Sequence, residues 1–208
     1  SSPRDTRNRY ISLICSRTED AADTFLKQES GRDLSAEEQV RALQLLEMQR
    51  HALLMFTSCG WFFDEISDIE TTQILQYACR AIQLAEHISG KSLETPFLRL
   101  LAKAPSNNPA YENGRRLYET VVRPARLDLI RVGAHYAVSS VFRDYPPHTS
   151  IAAYGVSQLS YEKVRGGRMT LAAGQAEVFS RITRSRKKIC FAVLHLGEHI
   201  VNGGVRQA

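Results

Sequence analysis

The chain has 208 residues, enough for one large domain or two small ones with a sizeable hydrophobic core. Hydrophobic residues make up 43% and charged residues 24%, which is ordinary for a globular protein, and no apolar run approaches the about 20 residues that a membrane helix needs. The net charge of +5 raises the question of nucleic acid, but the basic residues are scattered apart from a cluster at 181–188, and no RNP, zinc-finger or phosphate-loop motif accompanies them. We expect neither a nucleic-acid nor a membrane partner.

The first part of the chain predicts three helices. Spaced apolar residues favour two short helices between residues 4 and 30, joined near Ser16–Thr18. Ser35 and Glu38 form a capping box, which predicts that a third helix begins at Ala36. Four residues on this helix follow core spacing and are predicted to be buried: Ala42, Leu46, Leu53 and Phe56.

A second, polar line runs along the same helix. It contains Glu47, His51, Leu54, Ser58 and either Trp61 or Phe62, with Arg50 beside it and Glu65 in continuation. Burying such charges without partners is costly, so they must pair with one another or face a water-filled groove. Two interpretations stay open: an ion-pair network between helices with Trp61 in the core, or a functional polar seam.

Further helices are predicted up to residue 142. A second capping box, Ser67 with Glu70, predicts a helix over Ile69–His87 that stops near Gly90. Two cap-and-proline pairs each predict a helix start, and an Arg-Pro pair predicts a kink or break; these are Thr95-Pro96 (helix to Ala104), Asn108-Pro109 (helix to about Val122) and Arg123-Pro124. The apolar segment Leu127–Phe142 predicts one more helix.

The pattern changes to strands after Pro147. Runs at 151–165 and 168–183 flank Gly166-Gly167, a hairpin signal, and the segment 188–196 is apolar like a buried strand. Asn202-Gly203-Gly204 predicts a turn or bulge, and the basic cluster at 181–188 a charged hairpin tip. We therefore predict an α+β fold: a helical bundle region, 1–146, and a small antiparallel β meander of three or four strands, 147–208, as one compact unit.

The cysteines and the N-terminus bear on cellular context. The first residues, Ser1-Ser-Pro-Arg-Asp5, contain neither an initiator Met nor a signal-peptide hydrophobic region, so we expect a processed end or a part of a longer protein. None of the cysteines has CxxC spacing, which favours reduced thiols in a cytoplasmic protein; they are Cys15, Cys59, Cys79 and Cys190.

Motifs for catalysis are weak. His195-Leu-Gly-Glu-His199 matches the spelling of inverted zinc peptidases, which place both histidines and the glutamate on a helix. Here the motif follows a strand and contains Gly197, so histidines satisfied at a strand end are the preferred interpretation and a metal-dependent hydrolase the weaker one. Asp64 and Glu65 are adjacent, so their side chains diverge and cannot form the opposed pair of a glycosidase. We expect no catalytic residue, metal or cofactor in this chain.

Several segments together resemble a known family. They are Leu45-Leu-Glu-Met-Gln-Arg-His51, Phe56-Thr-Ser-Cys-Gly-Trp-Phe-Phe-Asp64, Gln76-Tyr-Ala-Cys-Arg-Ala-Ile-Gln-Leu-Ala85, Ala134-His-Tyr-Ala-Val-Ser-Ser-Val-Phe142 and Phe191-Ala-Val-Leu-His-Leu-Gly-Glu-His199. The chain resembles, over essentially its whole length, the C-terminal domain of unknown function 3536 found in proteins of glycoside hydrolase family 57. The string from Thr57 to Asp64 is the most specific part.

The resemblance implies an accessory role in an α-glucan-active enzyme. It implies an N-terminal catalytic barrel in the same polypeptide, with a glutamate nucleophile and an aspartate acid, and a helical region packed against that barrel. In related members a tryptophan of the helical domain reaches the glycan cleft, and Trp61 is the single tryptophan here. The implied contacts with an α-glucan or oligosaccharide are Trp61, Asp64, Glu65, Arg50, His51 and Glu47. A non-catalytic protein-interaction domain with an exposed apolar patch is the alternative.

Overall fold

A computed structural model describes residues 2–208, except for the side chain of Trp61. Helices precede a five-stranded antiparallel sheet, which confirms the predicted α+β class. The chain divides into two compact units, a helical unit that ends at Arg126 and a sheet unit that begins at Leu127. This boundary lies 20 residues before the predicted change from helix to strand at 146/147, because the last helix packs on the sheet and belongs to the sheet unit.

The helical unit contains eight α-helices and one π-helical turn within the described residues. They are α1 (Pro3–Cys15), α2 (Glu19–Ser30), α3 (Ala36–Leu54), α4 (Cys59–Phe62), α5 (Ile69–Ser89), α6 (Glu94–Leu101), α7 (Gly114–Leu117), the π-helical turn (Tyr118–Val122) and α8 (Arg123–Ala125). None of the helices in the described part of the chain is both long enough and apolar enough to cross a membrane.

Local capping explains the helix ends that the sequence predicts correctly. Ser35 Oγ accepts from the Glu38 amide while the Glu38 carboxylate accepts from the Ser35 amide, so the first capping box is confirmed. Gly90 ends α5 with φ +68°, a left-handed conformation that glycine adopts at no steric cost.

Other predicted caps do not form. Helix α5 begins at Ile69, as predicted, but its capping box is absent: Asp68 is the N-cap, and the Ser67 amide donates to the Glu65 carboxylate at 2.8 Å. Asn108-Pro109 lies in turns, and α7 begins only after Asn113, whose Oδ1 accepts from the Arg116 amide. Helix α6 begins one residue before Thr95 and ends at Leu101 rather than Ala104.

Two hydrophobic clusters pack within the described part of the helical unit. The first joins α1, α2 and α3 through Tyr10, Leu13, Ala22, Phe25, Leu26, Leu43 and Leu46. The second joins α5 and α6 to the chain before Pro124 through Leu75, Cys79, Leu98, Leu117, Tyr118 and Val122. Burial of these side chains is the main source of the unit's stability.

The sheet unit is a meander covered on one face by helix α9 (Leu129–Phe142). Its strands lie in chain order: β1 (His148–Ile151), β2 (Tyr154–Gly166), β3 (Met169–Ser180), β4 (Arg186–Gly197) and β5 (Ile200–Gln207). Helix α9 approaches closely at Gly133, where an added Cβ would lie 2.4 Å from Ile189 Cδ1. The helix predicted over Leu127–Phe142 is thus confirmed, with its first turn at Leu129.

The predicted hairpins need two corrections. Gly166 pairs with Met169, so the loop between β2 and β3 is Gly167-Arg168 rather than Gly166-Gly167. Asn202-Gly203-Gly204 is neither turn nor bulge but the middle of β5, which adds a strand to the expected three or four. An added Cβ at Gly203 would lie 2.8 Å from the Ala192 carbonyl oxygen, so glycine permits close pairing with β4.

Candidate functional site

Helix α3 buries Leu46 of its apolar line, with Ala42 partly buried, and Glu47 of its polar line, whereas the C-terminal end of the apolar line is exposed. The His51 ring lies against Tyr77 of α5, with ring centroids 6.1 Å apart. Leu53 and Phe56 are 56% and 76% exposed, so their predicted burial is wrong, although Leu46 is buried as predicted. Of the polar line, His51 contacts α5 through Tyr77, whereas Glu47 has its partners in α1 and the α1–α2 connection.

Glu47 lies at the centre of a buried polar network. Its side chain is 4% exposed, and Oε1 accepts from the Tyr10 hydroxyl at 2.6 Å and from Arg17 Nη2 at 2.8 Å. Arg50 Nη1 lies 3.5 Å from Oε2, and His51 Nδ1–H donates to the Glu47 backbone carbonyl at 2.8 Å. The network thereby connects α1, the α1–α2 connection and α3.

Protonation in this network follows from burial and its partners. Burial opposes ionisation of Glu47, but hydrogen bonds from Tyr10 and Arg17 and the nearby arginine charges outweigh it and lower the pKa of Glu47. Burial, together with the Glu47 charge, raises the pKa of the Tyr10 phenol. Burial lowers the pKa of His51, so its imidazole is neutral at neutral pH.

The network matches the ion-pair interpretation of the polar line, with two members that sequence reasoning missed. Tyr10 and Arg17 come from elements distant in sequence, and no local spacing connects them to α3. The sequence offers one signal for them: a tyrosine and an arginine in the same region can each donate a hydrogen bond to a buried carboxylate. With these contacts, Glu47 holds the helices together.

The most specific stretch of the sequence follows α3 and exposes aromatic side chains. Gly60 brings α4 against α5, since an added Cβ would lie 2.6 Å from Ile74 Cγ1. Phe62 and Phe63 are 74% and 47% exposed and contact each other edge to face, with ring centroids 5.2 Å apart. The Trp61 side chain lies outside the part of the chain that the structure describes. We call residues 53–63 the exposed segment, after the exposed side chains of Leu53, Phe56, Phe62 and Phe63.

Glu65, at the end of this stretch, forms hydrogen bonds with a loop and with the chain before α5. Its Oε1 accepts from the Ser106 hydroxyl at 2.6 Å and from the Ser67 amide at 2.8 Å, and its Oε2 accepts from the Asn107 amide at 2.6 Å. The Ser106 hydroxyl, followed by the two backbone donors, lowers the pKa of Glu65 to about 2. Glu65 therefore ties the chain before α5 to the loop after α6.

The candidate binding residues thus fall into separate surroundings. Glu47, Arg50 and His51 share the buried network, whereas Glu65 has its own partners in the 106–107 loop. Asp64 is exposed beside it. The role of these residues in binding a substrate stays a prediction.

The histidine motif near the C-terminus does not adopt the zinc-peptidase geometry. His195 lies on β4, while Glu198 and His199 form the turn to β5, with Glu198 at φ +51°. His195 Nε2 lies 3.1 Å from the Glu198 carbonyl oxygen, and its ring contacts Phe142. Within the described residues, no group of three or more His, Cys, Asp or Glu side chains could hold a metal ion. The helix that the metal-hydrolase alternative requires is absent from this segment.

The fold and site together define an α+β protein with a polar network inside its helical unit and an aromatic segment exposed beside it. A family model described as Domain of unknown function (DUF3536) matches residues 1–208. The chain therefore belongs to this family. Comparisons with curated proteins and with solved structures found no match.

Proposed function

We propose that the chain is a non-catalytic accessory domain of a glycoside hydrolase family 57-like, α-glucan-active enzyme. Support comes from the sequence resemblance over the whole chain and from membership in the DUF3536 family. In this proposal the catalytic carboxylates belong to an N-terminal barrel of the same polypeptide, and the helical unit supports that barrel and lines its glycan cleft. The free cysteines suit a cytoplasmic enzyme.

The exposed segment is the observation that carries the proposal. Phe56 and Phe62 are each about three-quarters exposed, at 76% and 74%; Phe62 belongs to the most specific part of the sequence and Phe56 directly precedes it. Single exposed apolar residues are normal, but several aromatic rings on one short segment are typical of a binding surface. Aromatic rings offer flat apolar faces, and sugars have apolar C–H faces that pack on them, so Trp61 and its aromatic neighbours are suited to contact a glycan.

The polar candidates then divide into positioning and contact roles. Glu47 and His51 fix the end of α3 from which the segment starts, and Glu65 fixes the chain after it. Asp64 is exposed next to the aromatic residues, where a carboxylate can accept hydrogen bonds from sugar hydroxyls. Arg50 is partly exposed at the margin of the network and supplies donors on that side.

Tryptophan fluorescence tests the cleft role, because Trp61 is the sole tryptophan in this chain. We expect malto-oligosaccharides to change the Trp61 emission in the longest native polypeptide whose other tryptophans have been replaced by phenylalanine. Phe62→Ala should weaken the response, whereas Phe142→Ala, an exposed aromatic in the sheet unit, should leave it unchanged. Unchanged emission at saturating oligosaccharide would rule out the cleft role, and a reading frame without a barrel upstream would rule out the accessory role.

The alternative, a protein-interaction domain, is favoured by exposed aliphatic side chains at the ends of α3 and α5. Leu53 and Ile69 are 56% and 80% exposed, and such side chains become buried more readily against protein than against sugar. This function predicts that Leu53→Ser weakens association with a separately produced barrel without changing an oligosaccharide response. If Leu53→Ser does not weaken association and oligosaccharide changes the Trp61 emission, the interaction function is ruled out and the glycan role is supported.

A further inference from the structure

A cavity of about 560 Å³ opens within the helical unit, among α1, α2 and α3. Its volume falls in the range of about 300–1,000 Å³ that is usual for small-molecule sites. Buried members of the first hydrophobic cluster form its floor, namely Phe25, Leu26 and Leu46. Leu34, Ala42 and Leu45 also line it, so the interior is apolar. An apolar group placed there would remove its own surface and that of the exposed Leu45 from water.

The mouth of the cavity is positively charged. Arg4 and Arg7 line it from the first turns of α1. Glu29 is the one carboxylate among the described lining residues, and it accepts from Arg9 Nε at 2.6 Å and from the Thr6 hydroxyl at 2.6 Å. Arg9 offsets the charge of Glu29, and Asp5, which also attracts Arg9, is not among the described lining residues, so Arg4 and Arg7 give the lining an excess of positive charge.

The guanidinium groups at the mouth remain suited to an anion. Arg7 donates from Nε and Nη2 to the Asn8 side-chain oxygen, which is a neutral acceptor and leaves the positive charge uncompensated. Arg4 is exposed. Guanidinium groups recognise carboxylates and similar planar or tetrahedral oxyanions through paired hydrogen bonds.

We propose that this cavity binds a small amphipathic anion of the fatty-acid class, with its apolar tail on Phe25, Leu26 and Leu46 and its anionic head between Arg4 and Arg7. The site lies in the helical unit, and the argument for it is independent of any glycan role. The combination of an apolar interior with an excess of cationic groups at the opening selects against cationic amphiphiles of the same shape and favours anionic ones.

Calorimetric titration with dodecanoate and with dodecylammonium tests this selection, because the two share a tail and differ in the sign of the head. Both are used as monomers, below the concentration at which they aggregate. We expect one dodecanoate per chain and binding of dodecylammonium at least about tenfold weaker, a difference of about 1.4 kcal/mol. Equal affinities, binding at many equivalent sites, or no binding of dodecanoate would overturn the proposal.

Matched variants locate the site. The double variant Arg4→Ala, Arg7→Ala should weaken dodecanoate binding about tenfold, whereas Arg99→Ala, an exposed arginine of α6, should not change it. Ala42→Phe should block the tail; if circular dichroism shows that this variant does not fold, Gln49→Trp at the cavity's lining provides the second obstruction. Full affinity in both the arginine and the obstructing variants would contradict the assignment.

Two control arms exclude other surfaces. Phe62→Ser removes an exposed aromatic side chain outside the cavity and should leave dodecanoate binding intact; loss of binding there would move the site to the exposed segment and overturn the proposal. Sedimentation with phosphatidylglycerol vesicles distinguishes a free amphiphile from a lipid surface. If the protein co-sediments with vesicles but does not bind monomeric dodecanoate, the site is a membrane-surface site and the binding cavity is refuted.

Discussion

Glu47 and Glu65 occupy two contrasting regions of the helical unit, and both have a lowered pKa. Glu47 is buried, so its ionised form depends on donors that outweigh the cost of losing water. Glu65 lies nearer solvent and depends on a hydroxyl and two backbone amides that approach it from loops. A lowered pKa therefore marks a contact between helices in one place and a contact between two loop segments in the other.

The contrast separates stability from function. Removing one partner from a buried charge leaves the other partners without compensation, whereas water replaces a lost partner at an exposed site. Glu47 is thus expected to govern the free energy of unfolding of the helical unit. Glu65 is expected to govern the position of the chain that leaves the exposed segment.

Glu47→Ala should have the largest effect. It leaves Arg17 and the buried Tyr10 hydroxyl without their acceptor, and we expect it to lower the free energy of unfolding by about 3–5 kcal/mol. Urea denaturation followed by helical circular dichroism measures this change. Glu37→Ala, an exposed glutamate in the first turn of the same helix, should cost less than about 1 kcal/mol. Equal costs for the two variants would show that the network does not stabilise the fold.

Tyr10→Phe should have the next largest effect. It keeps the ring in the core against Phe25 but removes the hydroxyl that donates to Glu47, a hydrogen bond to a charged group worth about 1.5–3 kcal/mol. The same denaturation measurement applies, with Tyr77→Phe as the control at less than about 0.5 kcal/mol. Since the two residues share one bond, combining Tyr10→Phe with Glu47→Ala should cost less than the sum of the single changes. Strict additivity would contradict a shared network.

Ser106→Ala should change the titration of Glu65 more than it changes overall stability. The pKa of Glu65 in the folded protein, about 2, lies below its ordinary value of 4.5. Its contribution to stability is therefore complete above pH 4.5 and is lost as the pH falls through about 2. Loss of the Ser106 hydroxyl, the largest cause of the shift, should raise the pKa toward the ordinary value.

Carbon-13 NMR of the glutamate carboxyl groups as a function of pH measures this shift. Ser92→Ala, an exposed serine in the chain before α6, serves as the control and should leave the Glu65 titration unchanged. A Glu65 carboxyl that titrates near 4.5 in the unmodified protein would refute the contact between the two loop segments.

What the sequence predicts well depends on local chemistry. The Ser35–Glu38 box and the stop at Gly90 are correct because each cap involves residues within one turn. The Ser67–Glu70 box does not form because the Ser67 amide donates to Glu65 instead. Glu65 is positioned by Ser106, which lies 41 residues further along the chain. A local pattern cannot reveal such a competitor.

Which side chains of α3 are buried depends on contacts with other parts of the fold. Two lines on this helix satisfied helical spacing, one apolar and one polar, and hydrophobicity favoured burial of the apolar one. Glu47 is buried because Tyr10 and Arg17 satisfy it, while Leu53 and Phe56 at the end of the apolar line are exposed. In the sheet unit, strand periodicity predicts the bodies of β2, β3 and β4, but the run 151–165 hides the turn between β1 and β2. Gly203 resembles a turn residue, although its role is to allow the close approach of β4. Periodicity thus identifies elements, and the partners of buried polar atoms decide which face turns inward.

Arg50→Ala should have the smallest effect on the network. Arg50 Nη1 lies 3.5 Å from Glu47 Oε2 and its side chain is 34% exposed, whereas Arg17 Nη2 lies 2.8 Å from Oε1 and is 28% exposed. A long, partly solvated pair is worth about 0.2–1 kcal/mol, so Arg50→Ala should lower the free energy of unfolding by less than about 1 kcal/mol. Arg17→Ala is the matched comparison and should cost clearly more, because it removes the shorter of the two charge-assisted hydrogen bonds. Raising the salt concentration should shrink the Arg50 effect further. An Arg50→Ala cost equal to that of Arg17→Ala would mean that proximity to Glu47, rather than hydrogen-bond geometry, determines the strength of the network.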